Sequence, residues 1–408
     1  MKRTSNVHSE IVGQPLRLLS YELEGGAPAV QSRVVRILIA PDKFKGALSA
    51  REVAENIAKG LRDALPDAKI DIVPMADGGE GTADVICDAL GGSWMKCKAH
   101  DPLGRELEAR YAYIDSNKLA VMEMSEAAGM RRVAENERDP LRANTFGVGE
   151  MILDASKRGA REIIIGLGGS ATNDGGFGMA RALGFRFFGK IDHQQEHEHK
   201  LNETVTQLAK LIRIEKPSGL SLPKIIAAVD VRNPLSGENG ATRVFGPQKG
   251  AGKDEIDMIE RALSNLADIV SKDLRIDFRN KPGAGAAGGL GFGLMSFCSA
   301  QIRSGFDIVA ESIGLESKMK NVDLVITGEG SLDRQTLEGK TPAGVARLAR
   351  KLGKRVFAIV GCATANRQVR EIFDGVYQNA RPGMSEKENM ACAAELLREN
   401  ARELAKQL

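Results

Sequence analysis

Aromatic residues make up only 4% of this 408-residue chain, with one Trp, Trp94. So few rings leave no aromatic-basic surface of the kind that binds nucleic acid. Charge is nearly balanced as well, 57 Lys and Arg against 54 Asp and Glu for a net +3, which argues against a nucleic-acid partner. Cysteine is scarce. Cys87, Cys97, Cys298, Cys362 and Cys392 are odd in number and widely scattered. They exclude a disulfide framework and read as free thiols in a reducing, cytoplasmic setting. No apolar run approaches the roughly 20 residues needed to span a bilayer. Histidine is rare too: His8 and His100 stand alone, and no Ser-His-Asp or Cys-His arrangement emerges. His193, His197 and His199 have a spacing that suits a metal, but their Gln- and Glu-rich surroundings read as a solvated loop.

Glycine, in contrast, is abundant at 45 residues. The length predicts two domains, and 42% hydrophobic with 27% charged residues fits a soluble globular protein. Residues 1–33 lack apolar periodicity and are expected to form a disordered tail. After them, Val34 to Ala40 (VVRILIA) reads as a strand covered on both faces. Ser49 and Glu52 form a capping box for a helix whose buried face carries Val53, Ile57 and Leu61, and Ile70 to Pro74 is a second strand. Val322 to Thr327 and Val356 to Val360 are strands flanking a helix from Thr341 to Leu352. Ser385 to Leu408 reads as one amphipathic helix. The middle differs. Trp94 to Met124 alternates like antiparallel strands, Pro140 to Arg158 and Lys253 to Val270 are helical, and Ile163 to Ile165 and Ile225 to Val229 are buried strands. Parallel β/α texture at both ends with an α+β middle predicts one domain inserted into another, with a cleft between them.

The richest motif is Gly166-Leu-Gly-Gly-Ser-Ala-Thr-Asn-Asp-Gly-Gly176, set between an apolar strand and a helix from Phe177 to Leu183. Such a turn presents backbone N–H groups to an anion. Gly168, Gly169, Ser170, Thr172 and Asn173 are therefore candidate phosphate contacts. At other strand ends, Ala40-Pro-Asp-Lys-Phe-Lys-Gly46 supplies Asp42, Lys43 and Lys45, and Met75-Ala-Asp-Gly-Gly-Glu-Gly-Thr82 supplies Asp77 and Glu80. Lysines here suit phosphate or carboxylate oxygens. A carboxylate here suits Mg²⁺ or a hydroxyl proton, and Asp77 equally suits a helix N-cap. A third strand end carries Glu329 and Asp333 and runs on to Gly339-Lys-Thr341. Arg334 stands where a P-loop requires Gly, so Walker A is rejected, although Lys340 at its helix start can still reach a phosphate. Gly283-Ala-Gly-Ala-Ala-Gly288 matches GxGxxG but lacks a convincing strand before it, and reads as a glycine-rich helix start. The turns at 230–234 and 245–250 hold Arg232, Asn233 and Lys249, each compatible with an ordinary turn.

Together and in this order, APDKFKG (40–46), MADGGEGT (75–82), GGSATNDGG (168–176), FGPQKGA (245–251), PGAGAAGGLG (282–291) and TGEGSLDRQTLEGKTPAGVA (327–346) resemble the bacterial type 1 glycerate kinase family. The resemblance spans roughly Val34 to Val360. It implies ATP-dependent phosphorylation of D-glycerate, favouring the 2-hydroxyl. It also implies a flavodoxin-like domain built from both chain ends (34–77 and 283–408) and an inserted, restriction-endonuclease-like α+β domain (78–282). The 1–33 tail lies outside the family pattern, and Thr204-Val-Thr206 replaces an expected Gly-Gly turn. Chemistry then suggests roles. Asp77 is the candidate base. Lys43, Lys45 or Lys340 neutralises phosphate or the glycerate carboxylate, and Asp42 is a further catalytic candidate. The 166–176 turn holds ATP phosphates, and Asp174 and Glu329 are candidate Mg²⁺ partners. Two competing functions are a nicotinamide-dependent hydroxy-acid oxidoreductase using 283–288 and a non-catalytic metabolite-binding protein.

Overall fold

The first strand, Arg36–Ile39, is apolar on both faces because both faces are covered: Ile37 and Ile39 pack on one side, Leu38 and Ala40 on the other. The computed structural model describes residues 34–191, 194–201, 204–333, 336, 340–363 and 367–408. Arg36–Ile39 lies inside a five-stranded parallel sheet whose spatial order is Gly375–Gln378, Arg355–Val360, Leu324–Thr327, Arg36–Ile39, Lys69–Ile72. Counted along the chain, that is the order 2-1-3-4-5 of a doubly wound sheet. Leu324 to Thr327 hydrogen-bonds beside the first strand although nearly 300 residues separate them, so both chain ends build one sheet.

A second sheet has six strands in the order Gln301–Arg303, Lys224–Ala228, Glu162–Gly166, Leu119–Glu123, Glu106–Ile114, Ser93–His100. The antiparallel texture expected for the middle holds for Ser93–His100, Glu106–Ile114 and Leu119–Glu123, but the last of these also pairs in parallel with Glu162–Gly166. The parallel half continues through Lys224–Ala228 to Gln301–Arg303. The chain thus returns to the first sheet only after Arg303.

The two sheets share a middle layer. Thr82–Leu90, Gly305–Ser312 and Thr341–Lys351 supply Ile86, Phe306 and Val345 to one core with Leu38 and Val325 of the first sheet and Val121 and Ile164 of the second. Outside the first sheet lie Ala50–Ala64 and Ala393–Ala405. Outside the second lie Phe146–Lys157, Phe177–Ala182, Lys253–Leu274 and Ala286–Cys298. Phe146–Lys157 starts later than the pattern from Pro140 suggests. The C-terminal segment is two helices, Glu386–Ala391 and Ala393–Ala405, rather than one.

The capping box read from sequence is present: Ser49 Oγ accepts from Glu52 N (3.3 Å), and Ser49 N donates to Glu52 Oε2 (2.8 Å). Gly60 lets Ala50–Ala64 lie tightly on the last helix, since a Cβ there would stand 2.3 Å from the Arg398 carbonyl. Ile57 is fully buried in the same layer. Ile57→Ala should destabilise the protein by about 2–5 kcal/mol, read as a lower denaturation midpoint with an unchanged denaturant slope.

Candidate active site

A cleft of about 1150 Å³ opens where strands of both sheets end. Every strand of the first sheet delivers a carboxyl-end loop to it, through Asp42, Asp77, Glu329, Cys362 and Ala380; the second sheet delivers Gly168–Gly169 and Asp230. Parallel strands leave their ligand sites at this end. Backbone bonds lace the loops together: Asp42 N to Gly328 O (2.8 Å), Met75 N to Pro41 O (2.8 Å), Gly361 N to Glu329 O (3.1 Å). Where the sheets meet, glycine is obligatory. A Cβ on Gly168 would lie 2.7 Å from Gly79 Cα, so the Asp77 turn and the 166–176 turn touch backbone to backbone.

The cleft is acidic. Asp42 is buried and accepts from Thr341 Oγ1 (2.7 Å) and Lys43 N (2.7 Å). Burial, then repulsion from Asp77, raises its carboxyl to about 6. Glu329 accepts from Thr336 Oγ1 (2.7 Å), and burial raises it to about 7. Asp230 accepts from Gly305 N (3.0 Å) and Ser304 Oγ (3.3 Å). Burial, then Asp77, raises it to about 7. Asp77 itself is half-buried and accepts from Gly79 N (3.2 Å). It is not the helix cap: Gly81 holds that position, and Glu123 reaches across from its strand to accept from Gly81 N (2.8 Å) and Ala83 N (3.2 Å).

Cations face the acids. Lys43, Lys45 and Lys340 line the cleft. Lys43 Nζ donates to the Glu80 carbonyl, Lys45 is exposed, and Lys340 Nζ stands 3.7 Å from Asp333. Asp42, Lys43, Lys45, Asp77, Gly168, Gly169, Glu329 and Lys340 are therefore brought together.

The rest of the 166–176 turn is not on the cleft surface. Ser170, Thr172, Asn173 and Asp174 are buried and do not line it. Asp174 in particular is not placed as a metal ligand. Its carboxylate is filled by Thr145 N (2.9 Å), Thr145 Oγ1 (2.9 Å), Gly178 N (2.9 Å) and Gly176 N (3.1 Å), tying two helix starts together. The sequence reading missed Asp230. Its signal was available, an acid directly after the apolar run Ile225 to Val229, as with Asp42 after its own strand. Gly283 to Gly288 opens Ala286–Cys298, whose residues 287–289 take φ of 52°, 66° and 88°, and no strand precedes it, so the dinucleotide reading fails. His193 and Arg334 lie outside the described residues.

Asp230 also sets a pH dependence. Its carboxyl is raised from 3.8 to about 7, so the folded state holds a proton that the unfolded chain has released. Its contribution to stability is present below 3.8 and is lost as pH rises through 7. Asp230→Asn should flatten the fall in stability of the ligand-free protein between these limits, measured by denaturant melts across pH. An unchanged slope would contradict this assignment.

Acids, ammonium groups and backbone donors gathered at strand ends mark this cleft as the candidate site of an α/β enzyme. Residues 37–408 match the model of the glycerate kinase family. The chain is 44% identical to the glycerate 2-kinase of Escherichia coli over 81% of its length and 86% of that protein's. It is 40% identical to the glycerate kinase of Bacillus subtilis over 91% of its length and 97% of that protein's. A crystal structure from Salmonella typhimurium whose chain is assigned as a glycerate kinase 2 superposes with TM-score 0.79 at 40% identity, covering 92% of this chain and 98% of that one. The chain belongs to the glycerate kinase family and is a kinase. Among the described residues, no helix is long and apolar enough to cross a membrane.

Proposed function

We propose that the protein transfers the γ-phosphoryl group of ATP to the 2-hydroxyl of D-glycerate. The acceptor oxygen forms a bond to phosphorus, the bond from phosphorus to the β–γ bridging oxygen breaks, ADP leaves, and the hydroxyl proton passes to a carboxylate. The observation that carries this reading is the convergence of Asp42, Asp77, Asp230 and Glu329 with Lys43, Lys45 and Lys340 on one cleft. Transfer of this kind needs alignment and charge neutralisation more than covalent help. The choice of carbon follows the Escherichia coli relative, a glycerate 2-kinase.

Asp77 is the base: it is half-buried, reachable from the cleft and, among the described residues, bonded only to the neighbouring Gly79 N–H. Lys43, Lys45 and Lys340 hold the glycerate carboxylate and phosphate oxygens. The Gly168–Gly169 backbone lies against the phosphates. The donor set fits Mg²⁺: Asp42 and Glu329 are buried carboxylates that accept from hydroxyl and amide donors and form no direct ion pair among the described residues. Among those residues no cluster of three or more acids, His or Cys could hold a metal alone. Mg²⁺ commonly takes one or two carboxylates with substrate phosphates completing its shell. Bound there, it would neutralise charge on the phosphates. We also read the five-stranded sheet as a flavodoxin-like domain and the six-stranded one as the inserted domain, with the return after Arg303.

The test is product analysis. Purified protein given ATP, Mg²⁺ and each glycerate enantiomer should yield 2-phosphoglycerate from the D form, identified by phosphorus NMR. Label on the 3-carbon, or turnover confined to the L form, would overturn the assignment. Omitting divalent cations should abolish turnover.

A further inference from the structure

Next along the chain from Gly168–Gly169, Ser170 meets the buried side chain of Lys249. Lys249 is 2% exposed and forms no ion pair among the described residues. Its Nζ donates to Ser170 Oγ (2.9 Å) and to the Thr172 carbonyl (2.6 Å), both neutral acceptors. Burial holds its pKa at about 7, offset in part by Asp174. Burying a charge without a direct ion-pair partner is unfavourable unless something compensates it. Its neighbours deepen the imbalance. Asn173 is fully buried, and among the described residues neither its Oδ1 nor its Nδ2 has a partner; the Thr172 hydroxyl, also fully buried, has none there either. Ser170 Oγ accepts from the lysine, which leaves its own O–H to donate. Residues 170–173, which hold this lysine, thus carry unpartnered buried donors as well as the unpartnered Asn173 Oδ1, and buried polar groups are normally satisfied.

We propose that Lys249, Ser170 and Asn173 form an oxyanion site at the inner face of the Gly168–Gly169 turn, and that its ligand is the terminal phosphoryl group of the nucleotide. A donor-rich pocket matches a group with three terminal oxygens, and a buried ammonium matches its charge. The inference rests on the reading of the cleft as a nucleotide site. Gly168 and Gly169 line that cleft and Ser170 follows them directly in the chain, so the ligand would reach the Ser170 hydroxyl past the two glycines, with Lys249 already bonded to the Ser170 oxygen.

Calorimetric titration of the full chain with β,γ-imido-ATP, ADP and D-glycerate tests it. Lys249→Met should weaken the ATP analogue by about tenfold to a hundredfold and leave ADP and D-glycerate within about threefold, the last two showing that the variant is folded. Asn173→Leu removes only unpartnered atoms. It should melt at or above the wild-type temperature yet bind the analogue at least about tenfold more weakly. Either variant binding the analogue as wild type does would overturn the site while leaving the kinase reading intact. A wild type that binds neither nucleotide would overturn both.

Discussion

Asp77→Asn is expected to lower kcat by about 10²–10⁴-fold while leaving the protein folded. The amide keeps the size of the carboxylate, and its oxygen can still accept from Gly79 N. What it loses is the ability to take a proton. A second effect distinguishes this from simple damage. Asp77 repels both Asp42 and Asp230 and helps hold their carboxyls near 6 and 7. Removing that charge should move both titrations downward, visible by carbon NMR of labelled carboxyls. A variant with near-normal turnover removes Asp77 from the chemistry. Unmoved titrations would mean that Asp77 is not the repelling charge.

Gly305→Ala is expected to cripple the enzyme from outside the cleft. A Cβ at Gly305 would fall 2.1 Å from the Asp77 carbonyl oxygen and 2.5 Å from both the Asp77 carbonyl carbon and Gly78 Cα. All of these are backbone atoms, so no side chain can swing aside. Gly305 N also holds Asp230 (3.0 Å). The substitution thus drives apart two acids that come from different sheets. Overpacking of this kind costs about 1–3 kcal/mol, and displacing a reacting group by about 1 Å costs on the order of 10² in rate. Denaturant melts and steady-state kinetics should show both losses. An alanine variant matching wild type in both would refute the claim that this contact sets the distance between the acids.

Much of this architecture could be read from the chain because its strands are covered on both faces and so spell near-continuous apolar runs. Val34 to Ala40, Ile163 to Ile165 and Val356 to Val360 all became strands. The acids and lysines that follow such runs reached the cleft for the same topological reason: parallel strands deliver their carboxyl ends to one edge. What could not be read was set by distant partners. Asp174 looked like a ligand because it sits in a polar turn, but Thr145, 29 residues away, occupies it. The N-cap role considered for Asp77 went to Glu123, 42 residues from the Gly81 amide that it accepts from. The parallel pairing of Leu119–Glu123 with Glu162–Gly166 depends on a crossover that no local pattern encodes.

The most direct test is a crystal structure of the Asp77→Asn variant with D-glycerate, Mg²⁺ and a non-hydrolysable ATP analogue. The 2-hydroxyl oxygen should lie about 3 Å from the side chain at position 77, with the terminal phosphoryl group against Gly168–Gly169. Finding either reactant bound away from the edge where the two sheets deliver their strand ends would contradict the account.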